Sequence, residues 1–259
     1  MRVSTQPIDR FWASDWSLTV LLVFLILSIF ILRPIGEWFG VDMRLFASLV
    51  FSAKLLSGIV AVSHSHRTLW VFGTVAVLTV IVHWSRYATS GPRWLGIEAV
   101  SAIISCGMLA TIVLVQVLRE GAVTVQRIQG AIAAYLLIAL MFAAAYTWVD
   151  LSVPNAFSGA PPGPTPHDAV QRFLYFSFVT LTTVGYGDIS PLTSGARSLA
   201  VFEALIGQMF PSILLARLVS MELWHRQRRF EREQAELDRE ELAREVARQL
   251  RAKPADGDR

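Results

Sequence analysis

TLTTVGYGD, Thr180 to Asp188, sets three threonines, two glycines around a tyrosine and one acid between two long apolar stretches. Lipid tolerates irregular backbone only where protein buries it or where it lines a water path. If the flanks are membrane, this segment is buried or pore-lining, and the fold follows from it.

Composition says that the flanks are membrane. The chain is 54% apolar and 17% charged, whereas soluble domains are about 45–50% apolar even with glycine counted and about 25% charged. The net charge of +3 is unevenly spread: eleven of the 23 Lys and Arg fall from Arg217 onward, which suits a cytoplasmic tail. Nearly as many acids are interleaved there, so nucleic-acid binding is not expected. The single cysteine, Cys106, cannot form an intrachain disulfide and reads as a small core residue.

A spanning helix needs about 20 mostly apolar residues. Six segments qualify: 16–32, 43–63, 68–84, 95–118, 128–149 and 196–221. Arg33-Pro34-Ile35-Gly36 follows the first and offers no small-x-small cleavage site, so an uncleaved first span is expected. The basic residues after Leu223 place the C-terminus inside, and six spans bring residues 1–15 inside as well. The loop LSVPNAFSGAPPGP, residues 151–164, has no Lys or Arg and falls outside.

A seventh apolar stretch, 166–181, is too short to span. Thr165-Pro166-x-Asp168 reads as a helix start, with an N-cap, a first-position proline and an early acid. A helix from Pro166 to Leu181 is about 24 Å long at about 1.5 Å per residue. It enters from outside and ends near mid-membrane with its partial negative charge inward. The chain then returns outward through residues 183–188, as a cation pathway requires.

Thr183–Gly187 spells TVGYG, the filter string of potassium channels. With YFSFVTLTTVGYGDISP around it and ARSLAVFEALIGQMF and ILLARLV after it, the chain resembles the potassium channel superfamily, and small prokaryotic six-span members in particular. The resemblance covers 127–221. It implies an all-α integral membrane protein with a four-helix sensor-like bundle (16–118) and a linker (119–127). A pore domain (128–221) follows, with outer helix 128–149, re-entrant pore helix 166–181, filter 183–188 and inner helix 196–221. A short cytoplasmic C-terminal helix and tail (222–259) complete it.

The resemblance also implies roles. Carbonyls of Thr183, Val184, Gly185 and Tyr186, with the Thr183 hydroxyl, replace the hydration shell of K+. Gly185 and Gly187 take the positive φ that aims successive carbonyls at one axis. Tyr186 packs away from the pore on Tyr175 and Phe176. Val179 and Thr182 support the filter from the pore helix, and Asp188 concentrates cations at the outer mouth. Some relatives carry a carboxylate where this chain has Val179, so the partners of Asp188 must differ. One loop per chain implies a homotetramer with fourfold symmetry.

On the inner helix, Gly207 and Pro211 are either a bend for opening or close-packing positions. Gln208 and Ser212 are expected to line the cavity below the filter. Glu203 is an acid in a spanning segment, either protonated behind the filter or facing the cavity. Arg217 would pair with Glu120 or snorkel to headgroups. From Glu222 the chain is a strong helix former. Leu223, Phe230 and Leu237 suggest a short coiled coil, against the reading of a solvated helix stitched by pairs such as Glu240–Arg244.

The fourth span has no Lys or Arg between Arg93 and Arg119, so weak or absent voltage dependence is expected. Lys54 is expected to snorkel toward Asp15. His64 and His66 read as loop residues rather than a pH or metal site. No cytoplasmic ligand-binding domain, cofactor beyond the permeant K+, or enzyme site is expected. The expected function is passive, potassium-selective conduction by a homotetramer among lipids of the plasma (cell inner) membrane. A weakly selective cation channel and a potassium transporter subunit are the alternatives.

Overall fold

In this computed structural model residues 18–31, 38–39, 48–49, 51–53, 55, 66–85, 92–118, 124–159 and 166–252 are described. Most of the expected span 43–63 lies outside them, as do Asp15, Lys54, His64, Arg119, Glu120 and Thr165. The side chains of His66, Asp168 and Glu240 do too.

Six helices and one short two-stranded ladder account for most of the described residues, with further helical residues at 38–39, 48–49, 51–53 and 55. The six helices are α1 (Leu18–Ile31), α2 (His66–Ser85), α3 (Pro92–Val117), α4 (Val125–Ser152), α5 (Pro166–Leu181) and α6 (Ser194–Ala252). Strands β1 (Phe157–Ser158) and β2 (Ser190–Pro191) pair antiparallel. Three helices are long and apolar enough to cross a membrane: Trp94–Val117, Val125–Ser152 and the Ser194–Arg239 part of α6. The first two are about 36 and 42 Å long at about 1.5 Å per residue, against a hydrocarbon core of about 30 Å. α1 and Trp70–Ser85 are apolar but shorter.

Helix ends follow local chemistry. Thr124, in extended backbone, caps α4 by accepting from the Arg127 amide. Thr193 Oγ1 accepts from the Ala196 amide at the start of α6. α5 starts at a proline, whose missing N–H belongs to a turn that leaves such donors unpaired anyway.

The inward face of α4 is made of small residues: Gly130, Ala131, Ala133, Ala134, Ala139 and Ala143 are buried. Small side chains let helix backbones approach, which is how apolar helices associate without a hydrophobic driving force. Leu18, Leu21 and Leu25 of α1 and Leu109, Val113 and Val117 of α3 fill the same core. Thr19 donates to Gln129 at 2.6 Å. Within the front helices, His83 Nδ1 lies 2.7 Å from Glu98 Oε1, and its Nε2 lies 3.0 Å from Ser48 Oγ.

A second, aromatic core holds the outer half of α4 to α5. Tyr146 touches Phe142, Phe157, Phe173 and Phe176, the last edge-on at 4.9 Å. Arg172 donates to Asp150 at 2.6 Å, tying the start of α5 to the end of α4. The β1–β2 pairing and the Leu192 amide on the Ala156 carbonyl (2.8 Å) fasten the chain after residue 188 to the chain before α5.

α6 runs 59 residues without a break, through Pro211. Its last part, from Leu215, belongs to a separate compact unit. There it is stitched by Arg226–Glu222 (2.8 Å), Gln227–Glu231 (3.3 Å) and the Arg228 guanidinium over the Trp224 ring (3.8 Å). Leu223, Phe230 and Leu237 are exposed in the single chain.

Candidate functional site

The end of α5 and the segment after it form one hydrogen-bonded unit. The Thr183 amide donates to Thr180 O at 2.9 Å, and the Val184 and Gly185 amides both donate to Val179 O at 3.0 and 3.3 Å. The N–H groups of residues 183–185 thus cap carbonyls that the helix leaves open. In a trans peptide the C=O points opposite to the N–H. The amides of residues 183–185 face α5, so the carbonyls of Thr182, Thr183 and Val184 face away from it. The Val179 carbonyl thus holds the Val184 and Gly185 amides.

Backbone handedness alternates along the same stretch. φ is +59° at Thr183, +59° at Gly185 and +80° at Gly187. Alternation between left- and right-handed residues is what lets carbonyls of successive peptides share one side. Glycine takes positive φ freely, whereas a side chain adds about 1–2 kcal/mol. Thr183 was not legible as such a position, because nothing about a threonine advertises left-handed backbone. Such strain in a β-branched residue concentrates at functional sites. The Thr182 hydroxyl turns back to Phe178 O (2.6 Å).

Tyr186 stacks on Tyr175, ring centroids 6.4 Å apart and planes 6° from parallel. The Tyr175 hydroxyl faces the Asp188 carboxylate. Asp188 Oδ1 also accepts from the Ile189 amide at 3.1 Å. The expected contact of Tyr186 with Phe176 is corrected within the chain. Phe176 is buried against Tyr146 and Phe157. Consecutive helix residues point about 100° apart, so only one of the two aromatics can face the filter.

Behind α5 lies a polar cluster. Glu203 of α6 is fully buried. Its Oε2 accepts from the Tyr146 hydroxyl at 2.6 Å, and its Oε1 lies 2.5 Å from Ser177 Oγ. Ser177 Oγ also reaches Ala139 O at 2.8 Å. Glu203 therefore packs among α4, α5 and α6, which decides between the two sequence readings against a cavity-facing acid. One turn on, a Cβ at Gly207 would collide with the Leu181 carbonyl, the last residue of α5. Tyr135 donates to that same carbonyl at 3.1 Å. Gly207 is a close-packing position.

Gln208, Pro211 and Ser212 are exposed on α6, with Ser212 Oγ donating to Gln208 O at 3.3 Å. Residues 182–188 are likewise exposed in the single chain. Tyr186 and Val184 are 71% and 53% accessible.

Residues 134–222 match the family model described as an ion channel. Over 90 residues, 34% of this chain, the sequence is 40% identical to two pore potassium channel c of Oryza sativa subsp. japonica, of which it covers 19%. It is 33% identical over 87 residues to protein LctB of Bacillus caldotenax, covering 33% of this chain and 64% of that protein. Two-pore potassium channel 5 of Arabidopsis thaliana is 49% identical over 47 residues, 18% of this chain and 12% of that protein. The chain thus spans less than two thirds of the length of each of these relatives. The matched stretch, which holds α5, the left-handed alternation and the Tyr146–Glu203 contact together, is similar to an ion channel domain and to part of proteins named as potassium channels.

Proposed function

We propose that this chain forms a homotetrameric channel that passes K+ selectively and passively. The observation that carries this reading is the alternation of positive φ at Thr183, Gly185 and Gly187 with the intervening amides turned onto α5. That pattern leaves a row of carbonyls for a dehydrated cation, coordinated by Thr183, Val184, Gly185 and Tyr186. Asp188 gathers cations at the outer mouth, and Gln208 and Ser212 line the cavity below.

Four chains around one axis close the row. The exposed filter supports this, as does the exposed apolar face Phe202, Leu205, Met209 and Ile213 of α6. Six spans, both termini cytoplasmic, and residence in the plasma (cell inner) membrane complete the reading, on the strength of the charge distribution. The test is flux from proteoliposomes under a potassium gradient, with sodium or lithium substituted. Potassium flux that sodium does not replace is expected. Equal sodium permeability would make the protein a weakly selective cation channel instead.

A further inference from the structure

Two contacts meet at Glu203 and a third at Ser177 beside it, and they can be counted against protons. They are Tyr146 Oη to Glu203 Oε2 (2.6 Å), Ser177 Oγ to Glu203 Oε1 (2.5 Å) and Ser177 Oγ to Ala139 O (2.8 Å). A carbonyl has no proton to give, so the serine hydroxyl must donate to Ala139 O to satisfy that contact. Its oxygen is then an acceptor toward Glu203, and the proton between them must be the acid's own. Tyrosine supplies the third. A neutral Glu203 gives three protons for three contacts. An ionised one gives two, and forces two oxygens together without a proton at one of them.

The surroundings agree with the count. Glu203, Ser177 and Tyr146 are all fully buried. Among the described residues no Lys, Arg or His pairs with Glu203. The titratable groups facing it are Tyr146 and, further along α4, Tyr135, while α5 presents Ser177. A buried carboxylate without a cation is costly, and costlier in a membrane.

We infer that Glu203 is a neutral carboxylic acid that positions the filter: its proton locks the pore helix to the inner and outer helices, and loss of that proton releases Ser177 and weakens selective conduction. Glu203 touches no permeating ion in this arrangement and acts through Ser177 and α5, which carries the Val179 carbonyl that holds two filter amides. The inference rests on the reading of the protein as a potassium channel.

The variants separate the two protonation states. In Glu203→Gln an amide N–H replaces the acid proton toward Ser177 and the amide oxygen still accepts from Tyr146. All three contacts survive, with nothing left to titrate. In Glu203→Ala the Tyr146 hydroxyl loses its acceptor, and Ser177 keeps only its bond to Ala139 O. Full-length protein in proteoliposomes is to be assayed for K+ flux and for the potassium-over-sodium permeability ratio, from mildly acidic to alkaline pH. Wild-type flux and ratio are expected to fall as pH rises. Glu203→Gln should match the wild type at low pH and lose the pH dependence, and Glu203→Ala should lower the ratio about tenfold, the scale of one buried hydrogen bond left unmade. A Glu203→Gln as impaired as Glu203→Ala would overturn the proposal, because only an ionised glutamate accepts from both hydroxyls. So would a Glu203→Ala with unchanged selectivity.

The infrared carbonyl stretch of a protonated acid, present in the wild type and absent from Glu203→Gln, is an independent readout should Glu203→Ala fail to assemble. Its absence in the wild type at neutral pH overturns the proposal. Wild-type vesicles that pass no potassium at any pH would refute the channel reading itself, and the infrared band would still decide the protonation of Glu203.

Discussion

The ring of Tyr175 lies parallel to that of Tyr186, 6.4 Å away, while its hydroxyl faces Asp188. One side chain of α5 thus meets Tyr186 by its face and Asp188 by its hydroxyl edge. Ring and hydroxyl act on different residues, so they can be separated by substitution.

Tyr175→Phe keeps the stack and removes the hydroxyl, and Tyr175→Leu removes both. An aromatic pair contributes about 0.5–1.5 kcal/mol beyond burial, or about two- to tenfold in an equilibrium. Tyr175→Phe should therefore hold its potassium-over-sodium permeability ratio near wild type. Tyr175→Leu should lower it about two- to tenfold. Bi-ionic reversal potentials measure this, and equal losses in both variants would assign the effect to the hydroxyl instead.

Gly207 packs where its Cβ would collide with the Leu181 carbonyl. Overpacking of this kind costs about 1–3 kcal/mol. Gly207→Ala should lower the melting temperature of the detergent-solubilised oligomer. Pro211→Ala should not, because Pro211 is exposed on a helix that already runs through it. An unchanged melting temperature with altered open probability in Gly207→Ala would make that glycine a hinge.

These positions show how far the sequence reaches. The helix Pro166–Leu181 and the positive φ at Gly185 and Gly187 were legible because their signals are local: a proline start, a length too short to span, and glycines where positive φ is needed. The Tyr146–Glu203–Ser177 cluster was not, since its members lie 57 and 26 residues apart and nothing local joins them. The choice between Tyr175 and Phe176 was equally hidden. Adjacent aromatics give a helix no absolute rotation, and only packing against α4 sets which faces the filter. Thr183 was hidden for the opposite reason, its backbone being held left-handed by the amides on either side of it rather than by its own preference.

Gly185 differs from Gly207 in kind. Nothing in the chain lies within 4 Å of a Cβ built at Gly185, but its φ is +59°. The burden of a side chain there is conformational, about 1–2 kcal/mol, repeated in each chain of an oligomer. Gly185→Ala should assemble like wild type on size-exclusion chromatography yet lose potassium flux. Normal selectivity in that variant would contradict the assignment of Thr183–Gly187 as the filter.

Voltage sensing needs charge that moves, at about 2.3 kcal/mol per elementary charge per 100 mV. The helix that would carry it, α3, has no Lys or Arg from Trp94 to Val117. The ionisable side chain within that stretch, Glu98, lies 2.7 Å from His83 of α2. Moving it outright would break that contact and leave a partly buried histidine behind. Current through reconstituted channels in symmetric potassium should therefore depend weakly on voltage, with no sigmoidal opening over the physiological range. Neutralising Glu98 as Glu98→Gln should leave that relation unchanged, while disturbing the packing of α2 on α3 enough to register as a lower melting temperature. A gating charge of several elementary charges per channel would sink this expectation and require carriers elsewhere in the front helices.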